Sequence, residues 1–456
     1  MFRHSIISIV LASIVGCASS TGIDYAREAN NQSDQYLTEL IEAHSVDSAL
    51  YEQQSVTLLT DLIDIPELKP YLESALANNP SLQQSIIALQ IAYAQQGVTR
   101  ADQLPTVGAS FSGETAKDNN ESYGADVTVS WELDLWQKLA DSSAAAAKDI
   151  AATQAQLQAT KDLLAANMIR AWLDISVNQQ LLDIELKRLA ILENNEVLVL
   201  ERYQVGLGSL EELDNAKTST ASTRATVAQY LESVQQSERS LLLLTGQWDA
   251  DAESPDVTMA FPEILSPLSA LSQQNMAGRP DLQQAFFNIE AETLRTDAAY
   301  KAMLPSFSLA ASVADLAQTP SEALFTDPVW SVLGSISAPL FQGGKLKSQA
   351  EIAELTTEQS YWSYQDTLLQ AVNEVENALG QETALEQQQN HLNDALESAH
   401  RSIVSYEEKY RQGLVDILDL LTVQQQAYDL QAQLASTTYQ RLLNRVDLGL
   451  ALGLGI

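Results

Sequence analysis

Apolar and polar residues alternate along four short stretches of the chain, and in one of them the alternation is strict. In the clearest stretch, residues 126–135, valine, tryptophan and leucine occupy every second position and polar residues occupy the others. Alternation over about ten residues fits a tilted strand that crosses a membrane, and a half-buried hairpin of a soluble protein shows the same period. The pattern predicts strands at about 105–115, 126–136, 305–314 and 330–341.

A helical pattern follows each pair of strands. Residues 138–205 contain neither proline nor glycine, and apolar residues such as Met168 and Ile175 recur every seven positions. Sustained heptads are typical of helices that pack side by side. The pattern predicts long helices at 138–205 and 345–412 and shorter ones at 210–245 and 416–450. Each long helix would measure about 100 Å, at about 1.5 Å per residue.

The same order of elements occurs twice in the sequence. Leu104-Pro105 returns 200 positions later as Leu304-Pro305, and Tyr203 and its turn return 207 positions later at Tyr410. Such self-similarity indicates an internal duplication. We therefore predict a signal peptide at 1–16, a partly ordered lead-in at 17–66, a first repeat at 67–246, a linker at 247–275 and a second repeat at 276–456.

Four strands per chain leave two open sheet edges, and open edges cannot face hydrocarbon. The strands must therefore close with copies of themselves. Two copies supply about eight strands, whose interior fills with side chains, whereas three supply about twelve, which leave room for a pore. The strands thus favour at least a trimer, whose helices would continue as a long hollow cylinder.

The acidic composition limits the partners of the chain. The formal net charge is −35, and this argues against nucleic acid and anionic lipid as partners of the bulk surface. A solubilising acidic surface explains the charge, and so does a pore that favours cations.

The N-terminus predicts export and lipid attachment. A basic start is followed by an apolar segment at 6–15, which is too short to span a membrane as a helix. Gly16 then precedes Cys17, the only cysteine, so no disulfide can form within the chain. The junction resembles the bacterial lipobox, which implies cleavage before Cys17 and its acylation, and Ala18 resembles lipoproteins sorted to the outer membrane.

Nothing in the sequence indicates an enzyme. His44, His391 and His400 share no metal-ligand spacing, and no glycine-rich phosphate loop occurs. The carboxylates are dispersed along the predicted helices, which is typical of helix faces exposed to solvent. We expect no catalytic residue, no metal site and no cofactor.

Several short motifs, each weak alone, occur together in a specific order. They are Arg279-Pro280-Asp281, Leu304-Pro305-Ser306, Pro339-Leu340-Phe341-Gln342-Gly343-Gly344-Lys345-Leu346, Glu374-Val375-Glu376-Asn377-Ala378-Leu379 and the Tyr-x-x-Gly-Leu turns at 203–207 and 410–414. With them, the chain resembles the TolC-like outer-membrane efflux proteins, especially the acylated branch, over about residues 67–453.

The resemblance implies a fold, an assembly and partners. The fold is mainly α with membrane β: a homotrimer in which four strands per chain complete a twelve-stranded barrel, continued by a periplasmic α-helical tunnel. The partners would be a periplasmic membrane-fusion adaptor, an inner-membrane pump reached indirectly, and outer-membrane lipid.

The resemblance also implies two kinds of site at the periplasmic tip. The adaptor would dock on the turns, at Gly206, Leu207, Gly208, Ser209, Gly413, Leu414 and Val415. The resting gate would involve Asp419, which lies six residues after the second tip glycine, together with Tyr410, Glu211 and Glu212. Val415 stands where the family has a basic partner, so we expect a latch with fewer salt bridges.

At the other end of each long helix, we predict a hinge between strand and helix. It comprises Trp136 and Gln137 in the first repeat and Phe341, Gly343 and Gly344 in the second. The glycines would relieve the backbone where strand turns to helix. Since the first repeat lacks them, we expect the two halves to enter their helices at different angles.

Two other functions stay open at this point. One is a trimeric coiled-coil structural lipoprotein without a pore, and the other is the exit duct of a type I protein-secretion system. Within the channel interpretation, the cargo could be a drug, a metal, a small molecule or a protein.

Overall fold

A computed structural model describes residues 23–44, 58–63, 65–115, 121–246, 257–262 and 278–456. The predicted signal peptide, Cys17 and most of the predicted linker lie outside this part of the chain. Among the residues described, none of the helices combines the length and the apolar character needed to span a bilayer.

The described chain alternates groups of helices with two β-hairpins. The helices are α1 (Tyr25–His44), α2 (Leu59–Leu62), α3 (Lys69–Asn78), α4 (Pro80–Ala101), α5 (Lys138–Gln204), α6 (Leu210–Leu244), α7 (Pro280–Lys301), α8 (Lys345–Arg411) and α9 (Ile417–Ala451), with a 3-10 turn at Pro66–Leu68. The strands are β1 (Thr106–Glu114), β2 (Ser122–Leu133), β3 (Ser306–Ala317) and β4 (Val329–Ser337).

The chain divides into two compact units. One contains the described residues of Met1–Gln35, Ile86–Leu157 and Pro280–Leu368, and with them the whole sheet. The other contains those of Tyr36–Ser85, Gln158–Arg279 and Leu369–Ile456, and with them both helix–helix turns.

The sheet is antiparallel and follows chain order, β1-β2-β3-β4. Odd-numbered apolar positions face each other across β2 and β3, as in the pairs of Val127 with Val313 and of Trp131 with Leu309. The outer strands β1 and β4 are exposed at every one of their nine residues. The period-2 pattern therefore marks one apolar face that runs across all four strands.

Two strand ends differ most from the sequence prediction. β2 begins at Ser122, before the predicted start at about 126, because Ser122 pairs with Glu114 and Tyr123 with Ala317. Ladder bonds to both neighbours outweigh the weak strand preference of this segment. β4 ends at Ser337 rather than near 341, because its partner Ser306 is the first residue of β3.

Helix α1 lies in the segment that the sequence presents as a weakly patterned lead-in. Its Tyr25 ring lies 5.1 Å from that of Tyr361, and Ser33 is buried and hydrogen bonds with Tyr364. Contacts with α8 thus stabilise the helix. The hydrophobic pattern of the segment itself does not indicate these contacts.

A buried ionic cluster joins α8 to α9 in the second unit. Glu382 accepts hydrogen bonds from Arg441 at 2.7 Å and from Arg445 at 2.8 Å, and at least nine-tenths of each of these side chains is buried. Arg441 also donates to Glu386 at 3.0 Å. Asn444 donates to the Ala378 carbonyl at 2.9 Å. A buried guanidinium is costly unless it is paired, so the two arginines depend on Glu382.

We predict that Glu382→Gln destabilises the protein far more than Glu386→Gln. The first change removes the carboxylate that both buried arginines share, at a cost of about 3 kcal/mol or more. The second removes a carboxylate whose side chain is half exposed, and this costs about 1 kcal/mol or less. Thermal unfolding followed by circular dichroism measures both, and equal losses would contradict the role given to Glu382.

The same carboxylate predicts a dependence on pH. Burial raises the pKa of Glu382, but the hydrogen bonds and charges of Arg445 and Arg441 outweigh it and hold the pKa below the ordinary 4.5. Since the folded pKa is the lower one, the stabilisation is complete above the unfolded pKa and is lost as the pH falls through the folded pKa. The melting temperature of the wild type should therefore fall more steeply in acid than that of Glu382→Gln.

Candidate functional site

The hinges at the two strand–helix junctions share one backbone conformation. Gln137 and Gly344, which are equivalent in the repeat, have φ angles of 65° and 86°. The carbonyls of both accept the first hydrogen bond of the following helix, from Asp141 at 2.9 Å and from Ser348 at 3.0 Å. A left-handed residue therefore ends each hinge, and in the first hinge it is not a glycine.

Neighbouring side chains hold Gln137 in this conformation. The Asp134 carboxylate accepts from the Ala140 N–H at 2.7 Å, which caps the start of α5. Trp136 donates its indole N–H to the Pro305 carbonyl at 2.7 Å and packs against Phe307, with ring centroids 6.3 Å apart. These contacts offset the cost of a non-glycine residue at positive φ. The second hinge instead has two glycines, since Gly343 also has a positive φ of 59°, and its Phe341 is 89% exposed.

The turns between long and short helices repeat a second geometry. Gly206 and Gly413 have φ angles of 78° and 73°. In the first turn, the Gly206 N–H bonds the Tyr203 carbonyl at 3.0 Å and the Leu207 N–H bonds the Arg202 carbonyl at 2.8 Å. This pair of bonds is a Schellman motif with glycine at the left-handed position.

The second turn has the same two bonds, from the Gly413 N–H to the Tyr410 carbonyl and from the Leu414 N–H to the Lys409 carbonyl, both at 2.9 Å. Tyr410 is 40% exposed. Leu207 and Leu414 are 73% and 69% exposed, so each turn presents a leucine at its surface.

Two of the predicted gate acids cap the short helices. Glu212 and Ser209 form a reciprocal capping box, with the Glu212 N–H bonding the Ser209 hydroxyl at 3.1 Å and the Ser209 N–H bonding the Glu212 carboxylate at 3.2 Å. Asp419 and Asp416 form the equivalent box at 2.9 Å and 3.3 Å. The Ser-x-x-Glu spacing in the sequence is itself a signal for such a capping box.

The remaining residues of the turns lie beside these boxes. Glu211 is exposed in the first turn of α6. Gly208 and Val415 are equivalent in the repeat, and both are partly buried. A Cβ atom added to Gly208 would lie 3.2 Å from the Tyr203 nitrogen, which is a tight contact.

Two of the sequence motifs meet in the second unit. The Arg279 side chain donates to the Ala451 carbonyl at 3.0 Å and to the Glu374 carboxylate at 2.8 Å. It is 8% exposed, whereas the Glu374 side chain is 53% exposed. Arg279 therefore joins the end of α9 to α8, a role that the sequence did not indicate.

Within the described ranges, no three His, Cys, Asp or Glu side chains are grouped so as to hold a metal ion. The candidate sites are the two hinges, which lie in the first unit, and the two capped turns, which lie in the second unit.

The fold is shared with solved structures of outer-membrane channels. The structure of the CmeC outer membrane channel of Campylobacter jejuni superposes with a TM-score of 0.80 at 20% identity, over 90% of this chain and 91% of that one.

The sequence profile described as outer membrane efflux protein matches residues 71–247 and 271–454. The chain therefore belongs to the outer membrane efflux protein family, and the predicted resemblance is confirmed. Two relatives match nearly end to end. The probable outer membrane lipoprotein SilC of Salmonella typhimurium is 26% identical over 100% of this chain and 99% of its own length. The cation efflux system protein CusC of Escherichia coli K12 is 25% identical over 98% of each chain.

We predict that Gly344→Ala and Gly380→Ala have opposite effects on stability. Gly344 has a positive φ, so alanine there costs about 1–2 kcal/mol. Gly380 lies within α8 with open space around its Cα, so alanine stabilises the helix by up to about 1 kcal/mol. Thermal unfolding of the two variants gives the sign of each effect, and a neutral Gly344→Ala would contradict the strain assigned to the hinge.

We predict that Ser209→Ala loosens the first turn and that Ser209→Asp does not. Alanine removes the acceptor for the Glu212 N–H, at a cost of about 1 kcal/mol, whereas aspartate is an equally good cap. Hydrogen–deuterium exchange of the peptide that covers the start of α6 should be faster in Ser209→Ala alone. Equal exchange in both variants would show that the capping box does not hold the turn.

Proposed function

We propose that the chain is the outer-membrane exit channel of a tripartite efflux system. It acts as a passive homotrimeric conduit and carries out no chemistry of its own. The observation that carries the proposal is the duplicated unit of hairpin, hinge, long helix and capped turn, in a chain of the outer membrane efflux protein family.

The sheet supports a trimer as the working assembly. Four strands with exposed edges are too few to close, and three copies supply enough strands to surround a pore. The predicted acylation at Cys17 would add a lipid anchor to each copy. The lipoprotein in the name of SilC is consistent with such an anchor.

The capped turns are the proposed docking surface for a periplasmic adaptor, which an inner-membrane pump would engage. The exposed Leu207 and Leu414 supply apolar contact area, and the Schellman motifs hold both in a defined position. Exposed apolar side chains on a rigid turn lose little entropy on binding, which favours recognition.

Asp419 is the proposed gate acid. Its carboxylate accepts one hydrogen bond from the Asp416 N–H and is otherwise exposed, so it keeps lone pairs that face solvent. Three copies around a pore axis would form a ring of carboxylates. Such a ring favours cations, as the overall charge of −35 also does.

The name of CusC points to cations as cargo, and other relatives have names that point to organic compounds, such as the toluene efflux pump protein TtgC of Pseudomonas putida. An acidic conduit fits cations better than anions, and the pump would set the choice among cationic cargoes.

We predict that Asp419→Asn lowers the cation preference of the channel in planar bilayers, by roughly fivefold in the cation-to-anion permeability ratio. It should also weaken block by divalent cations. Asparagine retains an oxygen for the Asp416 N–H, so the turn stays capped. The matched control is Asp394→Asn, which removes the same charge from an exposed position on α8.

Two results would contradict this proposal in different ways. Unchanged selectivity and block in Asp419→Asn would remove Asp419 from the pore but leave the channel. A wild-type protein that forms no conducting pore at all would favour the structural lipoprotein instead.

A further inference from the structure

A cavity of about 720 Å³ in the second unit brings together two of the sequence motifs. Arg279 belongs to the Arg-Pro-Asp motif, and Glu374, Asn377 and Ala378 belong to the motif at 374–379. The channel function proposed above assigns no role to these residues, because neither the hinges nor the capped turns contain them. The cavity is therefore a candidate for a separate binding site.

Three long helices contribute polar side chains to this cavity. On α8 the lining residues are spaced i, i+3, i+4 and i+7, from Glu374 to Gln381. On α9 they include Asn444 and Asp447, which are three positions apart. Such spacings place side chains next to each other on a helix surface. Arg170 of α5 also lines the cavity, so the site depends on all three helices.

Two ion pairs line the cavity, and in each the arginine is the more buried partner. The side chain of Arg170 is 30% exposed and that of Asp447, with which it pairs, is 56% exposed. Arg279 and Glu374 follow the same order. The lining thus carries equal numbers of positive and negative groups, and the carboxylates lie nearer to solvent than the guanidinium groups.

The pair of Arg170 with Asp447 can open at little cost. An ion pair with a half-exposed carboxylate contributes little net stability, because water solvates the released charge well. Arg170 also donates to the Asn167 side chain at 2.9 Å, which keeps the guanidinium in place when Asp447 moves away. Arg279 differs, because it is buried and also donates to the Ala451 carbonyl at 3.0 Å.

Two carboxamides add hydrogen-bonding groups to the cavity. Asn377 and Gln381 both line it and are both exposed, and within the described part of the chain neither takes part in a hydrogen bond. A carboxamide has a planar arrangement of donors and an acceptor. The same arrangement of donor and acceptor occurs in a peptide group, so the two can bond reciprocally.

We propose that this cavity binds a short peptide in its zwitterionic form. The peptide carboxylate pairs with Arg170, the peptide ammonium pairs with the Asp447 carboxylate that Arg170 releases, and Asn377 and Gln381 bond the peptide groups between them. The ligand then joins α5 to α9 in place of the direct ion pair. The site does not depend on the channel function proposed above.

The balance of charge favours a zwitterion over a simple ion. A zwitterion leaves neither member of the opened pair without a partner. A simple cation would leave Arg170, the less exposed member, unpaired, which is costly. A simple anion would leave Asp447 unpaired in a chain whose net charge is already −35.

Calorimetric titration of the full-length protein in detergent tests the site. The probes are triglycine, N-acetyl-triglycine and triglycine amide, which carry both terminal charges, only the negative charge and only the positive charge. Triglycine should bind roughly tenfold more tightly than either capped form, because each capped form loses one charge-assisted pair. Equal affinities for the three probes, or no binding of triglycine up to about 10 mM, would overturn the proposal.

Two charge variants assign each end of the peptide to its partner. In Asp447→Asn the ammonium has no partner, so triglycine should bind no more tightly than N-acetyl-triglycine. In Arg170→Gln the carboxylate has none, so triglycine should bind no more tightly than triglycine amide. The matched control is Arg188→Gln, which breaks the other ion pair between α5 and α9, that with Asp429 at 2.7 Å. It lies outside the cavity and should bind triglycine as the wild type does.

A further variant tests the carboxamides without changing either ion pair. Gln381→Ala truncates an exposed side chain and should weaken the binding of all three probes by a similar factor. This variant and the comparison of probes on the wild type keep the test decisive if a charge variant does not fold. An Arg188→Gln protein that loses triglycine binding as fully as Arg170→Gln would place the effect in the packing of α5 on α9 and overturn the site.

Discussion

The pairing of backbone groups is the constraint on which this molecule depends. An N–H or C=O group without a partner costs several kcal/mol in hydrocarbon. The inner strands β2 and β3 have a neighbour on both sides, whereas β1 and β4 each pair with one other described strand. In hydrocarbon, the outer edges of such a sheet would need partners from other copies, which supports the assembly proposed above.

The two repeats form the same hinge conformation with different residues. Both hinges need a left-handed residue before the long helix begins. The second repeat meets this need with Gly344, which adopts the conformation without strain. The first uses Gln137 and adds an aspartate cap and a partly buried tryptophan hydrogen bond around it. Conserved geometry therefore does not require the same residues, provided that neighbouring contacts compensate.

Charged side chains in this protein have structural roles besides the effect on ions proposed above. Glu212 and Asp419 each complete a capping box at the start of a short helix, so the acids proposed for the gate also hold the turns that carry them. Glu382 pairs with two buried arginines and joins two helices. A few of the many carboxylates therefore stabilise the packing of the helices and turns.

The sequence alone determined the elements and the turns, because periodicity and glycine position are properties of neighbouring residues. The strands, the long helices and the breaks at Gly206 and Gly413 follow from these local signals. Only the tertiary structure revealed helix α1 on α8, the start of β2 at Ser122 and the partnerships of Arg279 with Glu374 and of Glu382 with Arg441. These depend on which distant segments meet. A polar or charged residue has many potential partners in a chain so rich in acids, and folding selects one by distance and burial.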